Sequence, residues 1–147
     1  MGVGEVSVSW WGRGSVEDAR LPLVVAAARA FGLSVAIHIE PYDGRSPTTV
    51  AADLQYLATW GIRDVFVYHP RDFAAADWAP VTEGKPASMT LFAGTQLVGF
   101  AAAAGFDGFY TYDFLDFGGA KFVRLCEQAH AVHLLCAPSV GPGDGAG

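Results

Sequence analysis

Apolar positions along the chain follow two periods, one typical of helices and one typical of strands. Three segments repeat the same order: an apolar stripe with helical spacing, a glycine, and a short run of β-branched or aromatic residues. The stretches AFGLSVAIHI, TWGIRDVFVY and AAGFDGFYTY contain these glycines, Gly32, Gly61 and Gly105. Glycine readily adopts the left-handed conformation that ends a helix. Each stretch therefore predicts a helix end followed by a strand.

Two of the predicted helices show where they begin and which face they bury. The first is expected to have Pro22 near its first turn, the part of a helix that tolerates proline. The second is introduced by Ser46 as the N-cap and Pro47 as the first helical residue. The predicted apolar stripes consist of Leu23, Val24, Ala27 and Ala28 in the first helix and of Val50, Leu54 and Leu57 in the second.

Short β-branched and aromatic runs predict six strands that alternate with helical or irregular segments. This order is typical of an α/β fold with a parallel sheet. No linker divides the chain, so residues 1–147 are expected to form a single domain, and the glycine-rich residues 141–147 a flexible tail. The predicted strands are Val3–Trp10, Leu33–Ile39, Val65–Tyr68, Ser88–Phe92, Phe109–Tyr112 and His133–Ala137.

Composition and charge exclude several classes of partner. Of the 147 residues, 52% are hydrophobic and 16% are charged, which is enough apolar material for one core. The net charge is −6 and no basic cluster exists, so a nucleic-acid partner is disfavoured. No apolar run approaches the roughly 20 residues that a membrane span needs, and no signal peptide is visible.

The cysteines and histidines do not predict a metal or cofactor site. Cys126 and Cys136 lie on a predicted helix and the following strand without CxxC spacing. We interpret them as two small buried hydrophobic side chains rather than as a disulfide or a metal pair. The histidines are scattered along the chain, at His38, His69, His130 and His133.

Aromatic and acidic side chains concentrate at the predicted carboxyl ends of the strands, where parallel α/β folds bind ligands. In the stretch VAIHIEPY, period-two alternation turns Ile37 and Ile39 towards the helices. His38 and Glu40 take the opposite face and point inward and towards the rim, and Pro41 ends strand pairing. The other strand-end residues are Trp10, Trp11, Tyr68, His69, Tyr110, Tyr112 and Asp113.

This combination suits a sugar, because aromatic faces cover the apolar side of a pyranose and carboxylates accept hydrogen bonds from its hydroxyls. Glu40 is costly to bury without a purpose, so we favour a functional role for it. Four alternatives stay open. Either at least one of Trp10 and Trp11 binds the ligand, or both tryptophans pack in the interior of the fold. His38 is either an interior histidine with its hydrogen bonds satisfied or a catalytic base. Asp113 and Asp116 either cap the following turn and helix or have a functional role, Asp113 together with Glu40. Tyr110 and Tyr112 share one side of their strand, and either one or both belong to the core or they face the ligand.

Four stretches, VSVSWWGRG, VAIHIEPYDGR, AGFDGFYTYD and APSVGPG, occur in this order and span almost the whole chain. Together they resemble glycoside hydrolase family 99, which contains endo-α-1,2-mannosidases and endo-α-1,2-mannanases. The resemblance implies a (β/α)8 TIM barrel in which the six strands here are roughly strands two to seven. A complete barrel needs at least about 200 residues. We therefore expect an incomplete barrel domain that lacks the first and last strands.

The resemblance also implies a retaining hydrolase that cleaves internal α-1,2-linked mannosides in glycans without a cofactor. The family's acid/base glutamates lie in an Asn-Glu-Trp-His-Glu-Gly motif on the eighth strand, and no such stretch occurs here. We therefore assign no catalytic residue to this chain and expect it to be inactive alone. His69 stands where the family has an aspartate. The predicted substrate-binding residues, from the motifs and the strand ends, are Trp10, Trp11, His38, Glu40, Tyr42, Arg45, Tyr68 and Tyr112.

The expected partner is a mannose-containing glycan or polysaccharide. Unpaired edges of an incomplete barrel predict self-association, and the family resemblance suggests a secretory or extracytoplasmic location. The alternative hypothesis is a non-catalytic carbohydrate-binding module that keeps the aromatic rim without the chemistry.

Overall fold

Six strands joined by helical segments form one parallel sheet in the computed structural model, which describes residues 3–41, 45–112 and 119–137. The strands pair in their sequence order, each with the next, and all neighbours are parallel. The strands are β1 (Glu5–Ser9), β2 (Ser34–Ile39), β3 (Asp64–Val67), β4 (Thr90–Gly94), β5 (Gly108–Tyr110) and β6 (Leu135–Ala137). The α-helices are α1 (Val16–Ala30), α2 (Pro47–Thr59), α3 (Ala79–Gly84), α4 (Val98–Ala103) and α5 (Gly119–Ala131). Two 3₁₀ turns, Pro70–Asp72 and Ala75–Trp78, lie between β3 and α3.

The sheet is strongly curved, as in a barrel wall. Ser7 and Ser9 of β1 and Ala137 of β6 line one cavity of about 420 Å³, together with Phe66 of the central strand β3. The two outermost strands can share a cavity only if the sheet bends round towards itself. This curvature and the sequential parallel order confirm the predicted α/β class and the geometry of a partial (β/α)8 barrel.

Three helices end as their glycines predict. Gly32, Gly61 and Gly105 have φ angles of +71°, +78° and +75°. In each case the residue after the glycine donates its backbone N–H to the carbonyl three residues before the helix cap, for example Leu33 to Ala28 at 2.9 Å. This is the Schellman arrangement, which satisfies carbonyls that would otherwise lack a partner. The following strand therefore starts close to the helix that it packs against.

The core lies between the sheet and the helices. The side chains of Val35, Ile37 and Ile39 on β2 are buried and belong to it, as alternation predicts. Helix α2 also matches the sequence prediction. Ser46 is its N-cap and Pro47 its first residue, and the apolar side chains predicted for its stripe (Val50, Leu54 and Leu57) are fully buried.

Helix α1 differs from its prediction. It begins at Val16, after Ser15, whose hydroxyl accepts from the Asp18 N–H at 3.1 Å. Pro22 therefore lies inside the helix. The face towards the core is formed by Leu21, Val25 and Ala28, whereas Leu23, in the predicted stripe, is 75% exposed. The predicted stripe was wrong at Leu23 because Pro22 was expected near the first turn of the helix, and the stripe therefore missed the buried Leu21 before it.

The cysteines also differ from their prediction, because Cys126 and Cys136 form a disulfide. Neither side chain is fully buried. Helix α5 packs directly against β6, the strand that follows it, and this brings the two Cα atoms to 5.3 Å, a distance that a disulfide spans. The spacing in the sequence looked unspecific because it carries no information about how closely a helix and its own strand approach.

None of the helices in the described ranges is both long enough and apolar enough to cross a membrane.

Candidate functional site

A pocket of about 150 Å³ lies at the carboxyl ends of the strands, where the fold predicts a ligand site. We call it the rim pocket. Its lining comes from strands β1 and β2 and from residues that follow β1, β2, β3 and β5. The lining residues are Ser9, Trp10, Trp11, His38, Glu40, Tyr68 and Tyr112. The structure thus brings together six of the eight residues predicted to bind substrate.

Strand β2 positions two of these side chains, because its successive side chains point alternately to the two faces of the sheet without interruption. Ile37 and Ile39 are fully buried in the core, so His38 between them faces the interior of the curved sheet. Glu40 follows the last residue of the strand and takes the same face as His38. Its side chain is 26% exposed, which leaves the carboxylate accessible from the pocket mouth. Glu40 is also the one carboxylate among the described residues of the rim pocket.

His38 is held among tyrosines. Its Nε2 lies 2.9 Å from the Tyr110 hydroxyl. Its ring centroid lies 5.3 Å from that of Tyr68 and 6.0 Å from that of Tyr112, with the Tyr112 ring nearly parallel. Burial lowers the pKa of His38, and the negative charge of Glu40 offsets part of this effect. The neutral imidazole is therefore favoured, and it presents one donor and one acceptor.

Tyr110 was mentioned at the strand end but was not selected for the site. Its side chain is buried, and burial raises the pKa of its hydroxyl, which keeps that group protonated. The same alternation that selected Tyr112 places Tyr110 on its side of β5. Alternation could therefore have identified it, but the sequence does not reveal the contact with His38, which spans 72 residues.

His69 is a second residue outside the predicted set. Its Nδ1 lies 3.5 Å from Glu40 Oε1, and its ring stacks on Tyr68 with centroids 3.8 Å apart. Its φ angle of +47° lies in the left-handed region, which a non-glycine residue adopts rarely. This turn of the backbone directs the imidazole back towards Glu40.

The two adjacent tryptophans have different environments. Trp10 is 2% exposed, and its Nε1–H donates to Asp18 Oδ1 at 3.2 Å. Its ring also stacks against Tyr56 at 6.1 Å. Trp11 is 45% exposed. Trp10 is therefore a packed wall of the rim pocket, whereas Trp11 offers an accessible aromatic face.

Of the other two predicted residues, Arg45 is not part of the described lining of the rim pocket. Arg45 is buried, forms an ion pair with Asp53, and lies over the Trp10 ring at 5.7 Å. Burial raises the pKa of Asp53, although Arg45 acts in the opposite direction. Arg45 thus supports Trp10 from behind, and its contact with a sugar stays a prediction. Tyr42 lies outside the described residues, as do Asp113 and Asp116.

The rim pocket combines aromatic walls with a few polar side chains. Tyrosine and tryptophan rings form its walls, and Glu40, His38 and a serine hydroxyl supply polar groups. Hydrolysis of a glycoside typically needs two carboxyl groups on opposite sides of the scissile bond, and the described lining contains one. Within the described ranges, no group of three or more histidine, cysteine, aspartate or glutamate side chains is arranged to hold a metal ion.

Comparison with known proteins places this chain in a family. Residues 1–74 match the family model described as glycosyl hydrolase family 99. The chain is 28% identical to the glycoprotein endo-alpha-1,2-mannosidase of Xenopus laevis and to the glycoprotein endo-alpha-1,2-mannosidase-like protein of Homo sapiens. Each alignment covers 96% of this chain, but the chain spans only about 40% of the length of these relatives.

A solved structure agrees with this assignment. The GH99 endo-alpha-mannosidase from Bacteroides thetaiotaomicron is 30% identical and superposes with a TM-score of 0.81. The match covers 95% of this chain and 49% of that protein. Family model, sequence relatives and fold all agree, and the chain belongs to glycosyl hydrolase family 99.

Proposed function

We propose that this chain forms the sugar-binding rim of a retaining glycoside hydrolase that cleaves internal α-1,2-linked mannosides in glycans. Its family contains glycoside hydrolases, and two relatives are named for endo-α-1,2-mannosidase activity or likeness to it. The acid/base glutamates come from a segment outside these 147 residues.

The observation that carries this proposal is the rim pocket, which combines aromatic walls with the accessible carboxylate of Glu40. The exposed ring of Trp11 and the Tyr112 ring, which is 59% exposed, cover the apolar faces of a mannose unit. Glu40 accepts hydrogen bonds from its hydroxyls. His38, kept neutral by burial, contributes a hydrogen bond of fixed direction because the Tyr110 hydroxyl holds its ring.

Catalysis is expected only from the longer protein. In the mechanism implied by the family resemblance, the 2-hydroxyl of the sugar attacks its own anomeric carbon with help from one glutamate. A second glutamate protonates the leaving oxygen. The Asn-Glu-Trp-His-Glu-Gly motif that carries both is absent from these 147 residues. The chain alone should therefore bind an α-mannoside without hydrolysing it, and the protein that includes the motif should cleave it.

Calorimetric titration of the chain with α-1,2-mannobiose tests the binding role. We expect Glu40→Gln to weaken binding about 10- to 100-fold, because a hydrogen bond to a charged group contributes about 1.5–3 kcal/mol. Glu83→Gln, at an exposed position on α3, is the matched control and should bind like the wild type. Equal affinity of the wild type and Glu40→Gln, or no binding of α-mannosides at all, would contradict the proposal.

A non-catalytic carbohydrate-binding module is the second candidate, favoured by the single carboxylate among the described residues of the rim pocket. The flanking DNA separates the two candidates. A reading frame that continues into a two-glutamate motif supports the hydrolase. In-frame stop codons that enclose these 147 residues, together with mannoside binding, support the module.

A further inference from the structure

His69 combines a rare backbone conformation with a contact to the carboxylate of the rim pocket. Its φ and ψ angles are +47° and +43°, in the left-handed region. This region is uncommon for a residue that has a side chain, and a following proline favours extended backbone in the residue before it. Both conditions apply to His69, because Pro70 comes next and begins a 3₁₀ turn. The backbone at His69 is therefore strained.

A helix end does not explain this strain, as it does at the other described non-glycine residue with a positive φ angle, His133. His133 lies just after the end of α5, and the next residue, Leu134, donates its N–H to the Ala129 carbonyl at 2.9 Å. A left-handed residue at that point closes the helix. His69 instead lies two residues after strand β3, and its side chain is 54% exposed. Neither helix closure nor core packing accounts for its conformation.

The left-handed turn brings the imidazole of His69 against two residues of the rim pocket. The ring stacks on Tyr68, with centroids 3.8 Å apart and planes 21° apart. Its Nδ1 lies 3.5 Å from Glu40 Oε1. Stacking fixes the plane of the imidazole and thereby the direction in which Nδ1 presents a proton. Strained residues at functional sites persist where their surroundings hold them in this way.

A partner at one oxygen restrains the Glu40 carboxylate. The Glu40 side chain is 26% exposed and rotates about several bonds, so the carboxylate has more than one orientation open to it. Attraction between His69 Nδ1 and Oε1 favours one of them and leaves Oε2 to accept from a ligand hydroxyl. A carboxylate that is already held in place loses less conformational freedom when a ligand binds.

We infer that His69 is a positioning residue, whose imidazole holds the Glu40 carboxylate in the orientation that binds the sugar. The strained backbone places the imidazole where it can do so. This inference rests on the proposed function, because it requires that Glu40 accepts a hydrogen bond from a mannoside. It concerns a residue particular to this chain, since the resemblance to the family places an aspartate at this position.

Calorimetric titration of His69→Asn and His69→Asp with α-1,2-mannobiose tests the inference. The two new side chains have the same shape, and both tolerate left-handed backbone. The asparagine amide keeps an N–H group for Glu40, so His69→Asn should bind within about 3-fold of the wild type. His69→Asp places a second carboxylate beside Glu40 and should bind roughly 10-fold more weakly, a coupling typical of residues in contact.

The same two substitutions at His133 are the matched control. His133 is exposed, has a positive φ angle and lies outside the described lining of the rim pocket. His133→Asn and His133→Asp should therefore both bind like the wild type. Circular dichroism should show that all four variants are folded.

A double-variant cycle separates an effect through Glu40 from a merely structural effect. In a chain that already carries Glu40→Gln, His69→Asp should cause little further loss, because the glutamine has no charge for the aspartate to repel. Ligand-observed NMR measures the weak affinities of these variants.

Equal affinity of His69→Asn and His69→Asp overturns the positioning role and leaves the proposed function intact. A loss in His69→Asp that persists in full beside Glu40→Gln has the same consequence. A wild-type chain that does not bind α-1,2-mannobiose contradicts the proposed function and removes the role of His69 with it.

Discussion

The protonation of His38 depends on residues that are far from it in the sequence. Burial of its ring between Tyr68 and Tyr112 penalises the imidazolium, while Glu40, two residues away, favours it. The net effect is a lowered pKa of His38, because burial destabilises the imidazolium more than the partly exposed Glu40 carboxylate stabilises it. The site therefore contains a neutral histidine beside a carboxylate at neutral pH.

This lowered pKa makes the free energy of unfolding depend on pH. Below the unfolded-state pKa of about 6.5, the unfolded chain binds a proton at His38 that the folded chain binds less readily. The stabilisation is therefore complete above about pH 6.5 and is lost as the pH falls towards the folded-state pKa. We expect the free energy of unfolding in urea to be lower at about pH 5 than at about pH 7.5, and His38→Gln to reduce this difference.

The exposed His130 on α5 provides the control. His130→Gln should keep the wild-type difference between the two pH values. A pH dependence of stability that is the same in His38→Gln and in the wild type would show that His38 does not titrate differently on folding.

At the scale of the element, burial decides which helical leucines stabilise the fold. Leu54 of α2 is fully buried in the core, whereas Leu23 of α1 is 75% exposed. Leu54→Ala should lower the free energy of unfolding by about 2–5 kcal/mol, because it removes buried methyl groups and leaves a cavity. Leu23→Ala should change it by less than about 0.5 kcal/mol. Urea unfolding of both variants checks this, and an equal loss in the two would contradict the assigned face of α1.

The disulfide between Cys126 and Cys136 joins α5 to β6 across ten positions of sequence. It restricts the unfolded chain, and a loop of this length corresponds to about 2–3 kcal/mol of stabilisation in the chain-entropy model. We expect the free energy of unfolding to fall by this amount in a reducing agent. The double variant Cys126→Ser, Cys136→Ser should already show the loss and should not respond to the reductant. An unfolding midpoint that is the same with and without reductant would exclude a stabilising disulfide.

For the whole molecule, local signals in the sequence predict the framework well. Gly32, Gly61 and Gly105 end helices where they were expected to, and each strand then follows in parallel order. Because parallel strands end on one side of the sheet, residues from four strand ends could be assigned to one rim, and the structure places six of them in one pocket.

Contacts between distant segments could not be predicted in the same way. The hydrogen bond from His38 to Tyr110, the return of His69 towards Glu40 and the approach of α5 to β6 depend on how closely strands and helices pack. None of these distances can be predicted from a local pattern in the sequence. The surroundings of Arg45 could not be predicted from its place in a family motif either: it lies over Trp10 and pairs with Asp53, and its contact with a sugar stays a prediction.

The outer edge of β1 has no partner strand within the described part of the chain, because β1 is at one end of the sheet order. The N–H of Trp10 donates to β2, and alternate N–H groups of a parallel strand point to opposite sides. The N–H of Ser7 therefore faces the open edge. Such an edge is a template for pairing with another copy of the chain.

Removal of a single backbone N–H group from this edge should therefore weaken self-association. We expect the wild-type chain to associate with rising concentration in sedimentation velocity experiments. Ser7→Pro should weaken the association, because proline removes the outward N–H and leaves the hydrogen bonds to β2 in place. Ser7→Ala keeps that N–H and should associate like the wild type, and circular dichroism should confirm that both variants are folded. A wild-type chain that stays monomeric at all concentrations, or a Ser7→Pro variant that associates equally strongly, would show that the β1 edge does not mediate self-association.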